Sequence, residues 1–478
     1  MLFNSLNFAI FLPIVFVLYW LLSKRPLKLQ NALLLLSSYF FYACWDWRFL
    51  FLLMFSTLLD FGSALRMEDA KSKREKKWWF WISIIINLGF LGIFKYYNFF
   101  ADSFAQALAQ VGWEVNPALL NIVLPVGISF YTFHGLSYVI DIYKDRIKAE
   151  RNLIDYGLFV SYFPLLVAGP IERATHLLPQ IKKQRTFDYL RAVDGLRQIL
   201  WGLFKKVVIA DNCAEIVNQV FANSNEMSSG ALVLGAIFFA FQIYGDFSGY
   251  SDIALGTSRL FGIELLQNFS FPYFSRNIAE FWRRWHISLS SWFKDYLYIP
   301  LGGSKGGNWS RVRNTFIIFI VSGFWHGANW TFIVWGGLNA LFILPSIVLK
   351  TNRNNLEIVA KGQLFPSIIE LGQIVLSFVL ICFTWIFFRA ENLGDAFAYI
   401  NGIFTNGAGL AALNKSYLNL LLLMFFLIEW MGREESFAIA KIGFRWKRPF
   451  RWVFYSFLIF CIGMYMQTEE TPFIYFQF

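Results

Sequence analysis

Long apolar runs separated by short charged tracts dominate the chain, and the tracts set the order of the runs. The first run, residues 3 to 22, has no basic residue before it and carries Lys24, Arg25 and Lys28 behind it. A cleavable signal peptide has the reverse order and a small-residue cleavage site, so the pattern predicts a retained first span with its N-terminus outside. Further runs fall near 31 to 43, 49 to 66, 78 to 98 and 119 to 141. The tracts between them alternate: one Arg in 44 to 48, five Lys or Arg in 67 to 77, none in 101 to 118 and four in 144 to 151. Positive residues stay on the cytoplasmic side, so the odd-numbered spans enter the cytoplasm. The second run is short for a bilayer that needs roughly 20 residues, which predicts tilt, extension or re-entry.

Toward the other end, runs at 368 to 388, 416 to 430 and 452 to 466 are divided by a basic tract at 433 to 451 holding Arg445, Lys447, Arg448 and Arg451. That tract reads as cytoplasmic, which leaves the C-terminus outside as well. Between 154 and 313 the apolar pieces are short and broken by Gly, Pro and charge, as in SYFPLLVAGPIERATHLLPQ, LFKKVVIADN and YGDFSGYSDIALG. Irregular backbone at membrane depth is tolerated only where protein or a water-filled cavity surrounds it, so the working site is expected in this middle third. The pattern predicts an all-α polytopic membrane protein of ten to twelve spans with re-entrant and interfacial helices. It is read as one domain over 1 to 478, with N-terminal spans (1 to 141), a broken-helix core (154 to 349) and C-terminal spans (368 to 478). No internal repeat or long linker interrupts it.

Composition agrees. Of 478 residues, 57% are hydrophobic, 20% aromatic and 15% charged, which excludes a soluble enzyme and a disordered chain alike. The net charge of +11 sits in short tracts rather than on one basic face, so membrane topology explains it and nucleic acid does not. The four cysteines, at 44, 213, 382 and 461, are isolated and imply neither a disulfide framework nor a zinc site.

Ionisable groups in apolar segments are functional candidates because each costs at least ~2.5 kcal/mol when unpaired at a helix centre. Residues 314 to 349 contain no Lys, Arg, Asp or Glu. As one helix they would run about 54 Å, too long for one ~30 Å span, so two spans or a broken half are expected. His326 lies in this stretch, thirteen residues past Arg313 and so about 20 Å along an upright helix, in the membrane interior. Gly323 and Gly327 beside it permit close approach, and Ser322, Asn329 and Trp330 are positioned to orient its ring. A neutral imidazole there can take a proton from a hydroxyl and return one.

His286 lies in EFWRRWHISLSSWFKDYLYIP. On a helical wheel it shares one face with Phe281, Trp282, Trp285, Leu289, Trp292, Phe293 and Tyr296, while Arg283, Arg284, Ser290, Ser291, Lys294 and Asp295 take the other. This predicts an amphipathic interfacial helix ended by Pro300 and Gly302, with His286 on its buried side. Arg276, Arg283, Arg284, Lys294, Lys305, Arg311 and Arg313 cluster around it, a set suited to the phosphates of an acyl donor and equally to the positive-inside rule. Asp246 and Asp252, with Tyr250 between them, need partners among nearby arginines or hydroxyls, and a structural role is the expectation. His134 and His176 are read as structural. There is no GxSxG, HExxH, P-loop or GxGxxG, so covalent hydrolase, zinc and nucleotide chemistry lack support.

The segments SFYTFHGLSYVID, VAGPIERATHLLPQ, IYGDFSGYSDIALG, FWRRWHISLSSWFKDYLYIPLGGS and SGFWHGANWTFIVWGGLNAL, with the terminal TPFIYFQF, resemble the bacterial membrane-bound O-acyltransferases, the alginate O-acetyltransferase branch in particular. The resemblance places the family's WHG histidine on His326 and its second signature polar residue on His286. Asn339 departs from relatives that carry a further histidine after the WG pair. Trp325, Asn329, Ser322, Trp285, Arg283, Arg284, Tyr250, Asp246 and Asp252 are the expected lining of the donor chamber.

The resemblance implies that an acetyl group passes from cytoplasmic acetyl-CoA, with no bound cofactor, through the inner membrane toward an extracytoplasmic polysaccharide. A periplasmic or extracellular SGNH-type acyltransferase is the implied partner. Within the same class, D-alanyl transfer to teichoic acid from a carrier-protein thioester is the alternative. A secondary transporter is the alternative from another class, disfavoured by the lack of repeated halves.

Overall fold

In lipid a backbone must satisfy its own polar groups, and the apolar runs do so as helices. The computed structural model describes residues 1–167, 169–409, 416–467, 473 and 474, and every regular element among them is helical. Among the described residues five helices are long and apolar enough to cross a membrane: Leu27–Glu68, Lys73–Gln110, Ser229–Leu260, Trp330–Val348 and Ile368–Arg389. Leu6–Leu21 and Ser416–Gly432 are shorter apolar helices. These helices are not a count of spans, since Leu27–Glu68 alone carries two of the expected runs on either side of its kink, several runs make shorter or partly charged helices, and the middle third breaks into pieces of a few turns.

The described residues divide into two compact units, Met1–Tyr189 with Ser258–Leu266, and Leu190–Thr257 with Gln267–Phe478. In the first, the runs at 31 to 43 and 49 to 66 form Leu27–Glu68, which kinks at Asp46 (φ −157°, ψ 108°) where a loop was expected. Asp46 turns back to pair with Arg48 at 2.6 Å. The run at 119 to 141 becomes helical only from Ile128, after Gly127 at φ +74°. A Cβ on Gly127 would lie 2.3 Å from the Leu166 carbonyl oxygen, so glycine is required there.

In the second unit the charge-free stretch forms two helices, Gly307–His326 and Trp330–Val348, joined by the turn at 327 to 329. The turn follows from its sequence. Gly327 is extended (φ −162°), and the Asn329 side chain accepts from Thr331 N–H to cap the second helix. Two glycines let the helices touch backbone to backbone. A Cβ on Gly323 would meet Phe332 O at 2.2 Å, and one on Gly336 would meet Phe319 O at 2.3 Å. Ile368–Arg389, which opens with a capping box of Ser367 and Glu370, follows later in the same unit.

Candidate active site

His286 is not on a continuous helix. Ile278–Arg284 ends at Trp285, which is extended (φ −102°, ψ 129°), and His286 takes a left-handed conformation (φ +43°, ψ 55°) before Ile287–Phe293 begins. The wheel therefore fails between 284 and 287. The break survives because its backbone groups are paired: Trp285 N–H donates to Phe281 O, Ile287 N–H to Asn268 O, and Ser290 N–H to His286 O. Ser288 Oγ donates to Asn268 Oδ1 at 2.6 Å, fixing the same junction from the side chain.

His286 and His326 border one cavity of about 540 Å³. His286 is 1% exposed and His326 4%. Arg311, Thr315, Ile318, Ser322 and His326 all line it, one stripe along the Gly307–His326 helix. At 1.5 Å per residue the stripe is about 22 Å long. From the neighbouring helix Ile343 and Ile347 line it at one-turn spacing, with Lys350 just past the helix end, followed by Asn352 and Arg353. Lys350 and Arg353 are exposed while the two histidines are buried, so the lining grades from cationic rim to imidazole floor.

Aromatic rings fix the floor. Trp325 contacts both imidazoles, with centroids 6.1 Å from His286 and 4.8 Å from His326. Trp335 and Phe388 lie edge-on to His326 at 5.1 and 5.3 Å, and Phe247 packs on His286 at 4.7 Å. Neither ring nitrogen of His286 has a hydrogen-bond partner among the described residues. A buried polar group without a partner costs about 1–3 kcal/mol, so its persistence beside a cavity demands a specific explanation.

The other two histidines are engaged elsewhere. Glu172 N–H donates to His134 Nε2, and the Glu172 carboxylate meets His176 Nδ1 at 2.8 Å. That carboxylate holds the His176 imidazole above its ordinary pKa. Both are thus bonded to Glu172 and neither lines the cavity that His286 and His326 border.

Of the other expected lining residues, Ser322 and Arg283 border the cavity with the histidines. Trp325 buttresses them from behind. Trp285 does not line it: the extended backbone turns its ring into a stack on Phe281 (5.5 Å) and against Trp385 (5.2 Å). Asn329 caps a helix, donates to Glu391 O and does not line the cavity. Arg284 pairs with Glu280 at 2.9 Å, and Arg276 with Glu280 and Glu370, which removes both from a phosphate-binding role.

Asp246 and Asp252 lie outside this cavity. Lys206 pairs with Asp211 at 2.8 Å and Asp246 at 2.7 Å, and Lys205 with Asp252 at 2.6 Å. Their partners are thus the two lysines of LFKKVVIADN, not arginines. Tyr250 packs on Phe473 at 4.7 Å with Lys206 over its ring. Apart from Phe473 and Ile474, the terminal TPFIYFQF lies outside the described residues.

Lys350, Asn352, Arg353, Tyr298 and Ser304 border the cavity and were not singled out from the sequence. Lys350 had a signal: it continues the Ile343 and Ile347 spacing by one turn. Asn339, the departure from the family pattern, is a brace, accepting from Trp282 Nε1 at 3.2 Å and donating to Trp335 O at 2.8 Å.

Comparison with known proteins identifies the family. The profile of the membrane-bound O-acyltransferase family matches residues 144–390, which include both histidines and all of the cavity lining. The chain is 37% identical over 445 residues to the probable alginate O-acetylase AlgI of Pseudomonas aeruginosa, covering 91% of this chain and 82% of that one. It is 36% identical over 447 residues to the peptidoglycan O-acetyltransferase of Helicobacter pylori, covering 87% and 82%. The teichoic acid D-alanyltransferase of Bacillus subtilis is 29% identical over 285 residues, covering 57% and 70%. An all-helical membrane chain with two buried imidazoles on one cavity, matched at these levels over most of its length, belongs to the membrane-bound O-acyltransferase family, whose members are acyl-transferring enzymes.

Proposed function

We propose that this enzyme transfers an acetyl group from acetyl-CoA to a hydroxyl on the path to an extracytoplasmic polysaccharide, from the bacterial inner membrane with both termini outside. One observation carries the reading: a single cavity has exposed cations at one end and two buried histidines at the other. The cations suit the phosphates of the donor, and the separation along the helix lets its thioester reach inward.

His326 acts as general base. It takes the hydroxyl proton as the oxygen attacks the thioester carbonyl, and returns a proton to the departing CoA sulfur as the C–S bond breaks. His286 donates a hydrogen bond from one ring nitrogen to the carbonyl oxygen as negative charge develops there. Ester and free CoA are the products, with no covalent enzyme intermediate. The relatives named for alginate and peptidoglycan support a glycan as final acceptor. A separate SGNH-type acyltransferase is the proposed carrier of the acetyl group to that glycan.

The test is CoA release from acetyl-CoA by the protein in lipid nanodiscs, with a hydroxyl acceptor present. His326→Ala is expected to lose about 10²–10⁴-fold in turnover while inserting normally. Unchanged turnover in that variant refutes the assignment. A D-alanyl carrier-protein thioester is the competing donor, supported over a shorter stretch by the Bacillus subtilis relative. If that thioester is consumed and acetyl-CoA is not, the competing reading replaces this one.

A further inference from the structure

The segment from Lys350 to Leu364 follows the Trp330–Val348 helix with almost no regular structure, yet arginines bind its carbonyls throughout. Arg283 donates from Nη1 to Asn352 O at 2.5 Å and from Nη2 to Asn355 O at 2.7 Å. Arg276 and Arg284 both reach Glu357 O, and Glu280, itself buried, holds those two guanidiniums. Arg433 donates to Val359 O at 3.0 Å and to Ala360 O at 2.6 Å. Of these four, Arg283 alone also borders the cavity, and its two carbonyls bracket Arg353, which is on the rim with Lys350 and Asn352.

We infer that Arg283 is a positioning residue for the donor: it fastens the 350 to 355 segment so that Lys350 and Arg353 face the cavity, rather than binding donor phosphate itself. The inference rests on the donor reading above and deepens it. Both outer nitrogens of Arg283 point at backbone oxygens, and a planar guanidinium can hold two divergent carbonyls at once. A lysine ammonium keeps the charge but loses that fork. A rim fixed in advance also lowers the ordering cost of binding.

This distinguishes two roles for one charge. Arg283→Lys and Arg283→Gln are compared with Lys350→Gln and Arg353→Gln in nanodiscs. KM for acetyl-CoA and kcat are measured, together with amide hydrogen exchange of residues 350 to 358 without donor. The expected result is that Arg283→Lys resembles Arg283→Gln, with KM raised about tenfold, kcat within twofold and faster exchange in the segment. Rescue of KM by Arg283→Lys overturns the inference, because charge alone then suffices. So does unchanged exchange, or faster exchange with unchanged KM. Failure of the wild-type chain to use acetyl-CoA at all sinks the donor reading and the rim's role together. The exchange measurement, which needs no donor, still reports whether Arg283 fastens the segment.

Discussion

Replacing Gly323 with Ala adds one carbon at the tightest backbone contact beneath His326. The new Cβ would sit 2.2 Å from Phe332 O, where ordinary contact begins near 3.4 Å. The two helices must therefore part by roughly 1.2 Å at that level, because the obstacle is backbone and cannot rotate away. His326 lies one turn further along the same helix and ends it, so the parting moves the imidazole relative to Trp335 on the facing helix. Overpacking of this kind costs about 1–3 kcal/mol of stability. A misplacement of ~1 Å at reacting groups costs about 10²-fold, or ~2.7 kcal/mol of barrier. Gly337 is the control, since a Cβ there meets only Ile320 Cδ1 at 3.7 Å. Turnover in nanodiscs and midpoint temperature by fluorescence-detected size exclusion are measured for both variants. Gly323→Ala is expected to lose on the order of 10²-fold in kcat with a lowered midpoint, and Gly337→Ala to stay within twofold of wild type. If Gly323→Ala keeps more than half its kcat, the hairpin does not set the position of the imidazole.

Asn339→Leu removes the acceptor for Trp282 Nε1 and the donor to Trp335 O at nearly constant volume, so a cost of about 1–3 kcal/mol is expected. Because Trp282 lines the cavity, the ratio of activity on acetyl to longer acyl donors should shift as well; a variant with wild-type midpoint and ratio shows that Trp282 is held by packing alone. Lys206→Met leaves Asp211 and Asp246 buried without their cation, and about 3–5 kcal/mol should be lost, read as a collapsed midpoint or failed expression. Pairing it with Asp246→Asn should recover part of that loss, and no recovery would mean Asp246 is not the charge that Lys206 balances.

Apolar periodicity made the long helices legible, together with the hairpin around His326, because 36 residues without charge cannot be one span. The break at His286 was not legible. Residues on both sides keep helical amphipathic spacing, and the interruption is set by Asn268, whose carbonyl accepts Ile287 N–H from nineteen positions away in the chain. The same blindness to long-range pairing put Asp246 and Asp252 in the chamber. Two adjacent lysines within the apolar stretch LFKKVVIADN were the available signal, since buried cations demand carboxylates. Arg284 failed for a local reason: Glu280 stands one turn before it, an i to i+4 pair readable in the sequence.

The irregular backbone and the histidine it presents are one feature. A histidine in the left-handed region is strained, at an expected cost of about 1–3 kcal/mol, and such strain persists only where the surroundings over-determine it. Here they do: three backbone bonds at the break and the Ser288 to Asn268 side-chain bond tie the junction on both sides of His286. Helices of seven residues, about 10 Å each, cannot cross a bilayer, so Ile278–Arg284 and Ile287–Phe293 end within the protein and their junction opens on the cavity. A continuous helix would have carried residue 286 on its side wall and kept Trp285 beside it. The break instead sends Trp285 back into the aromatic stack and leaves the imidazole, both nitrogens without a partner among the described residues, on the cavity wall. Stability is given up at residue 286, which is the pattern expected of a side chain held for chemistry rather than for packing.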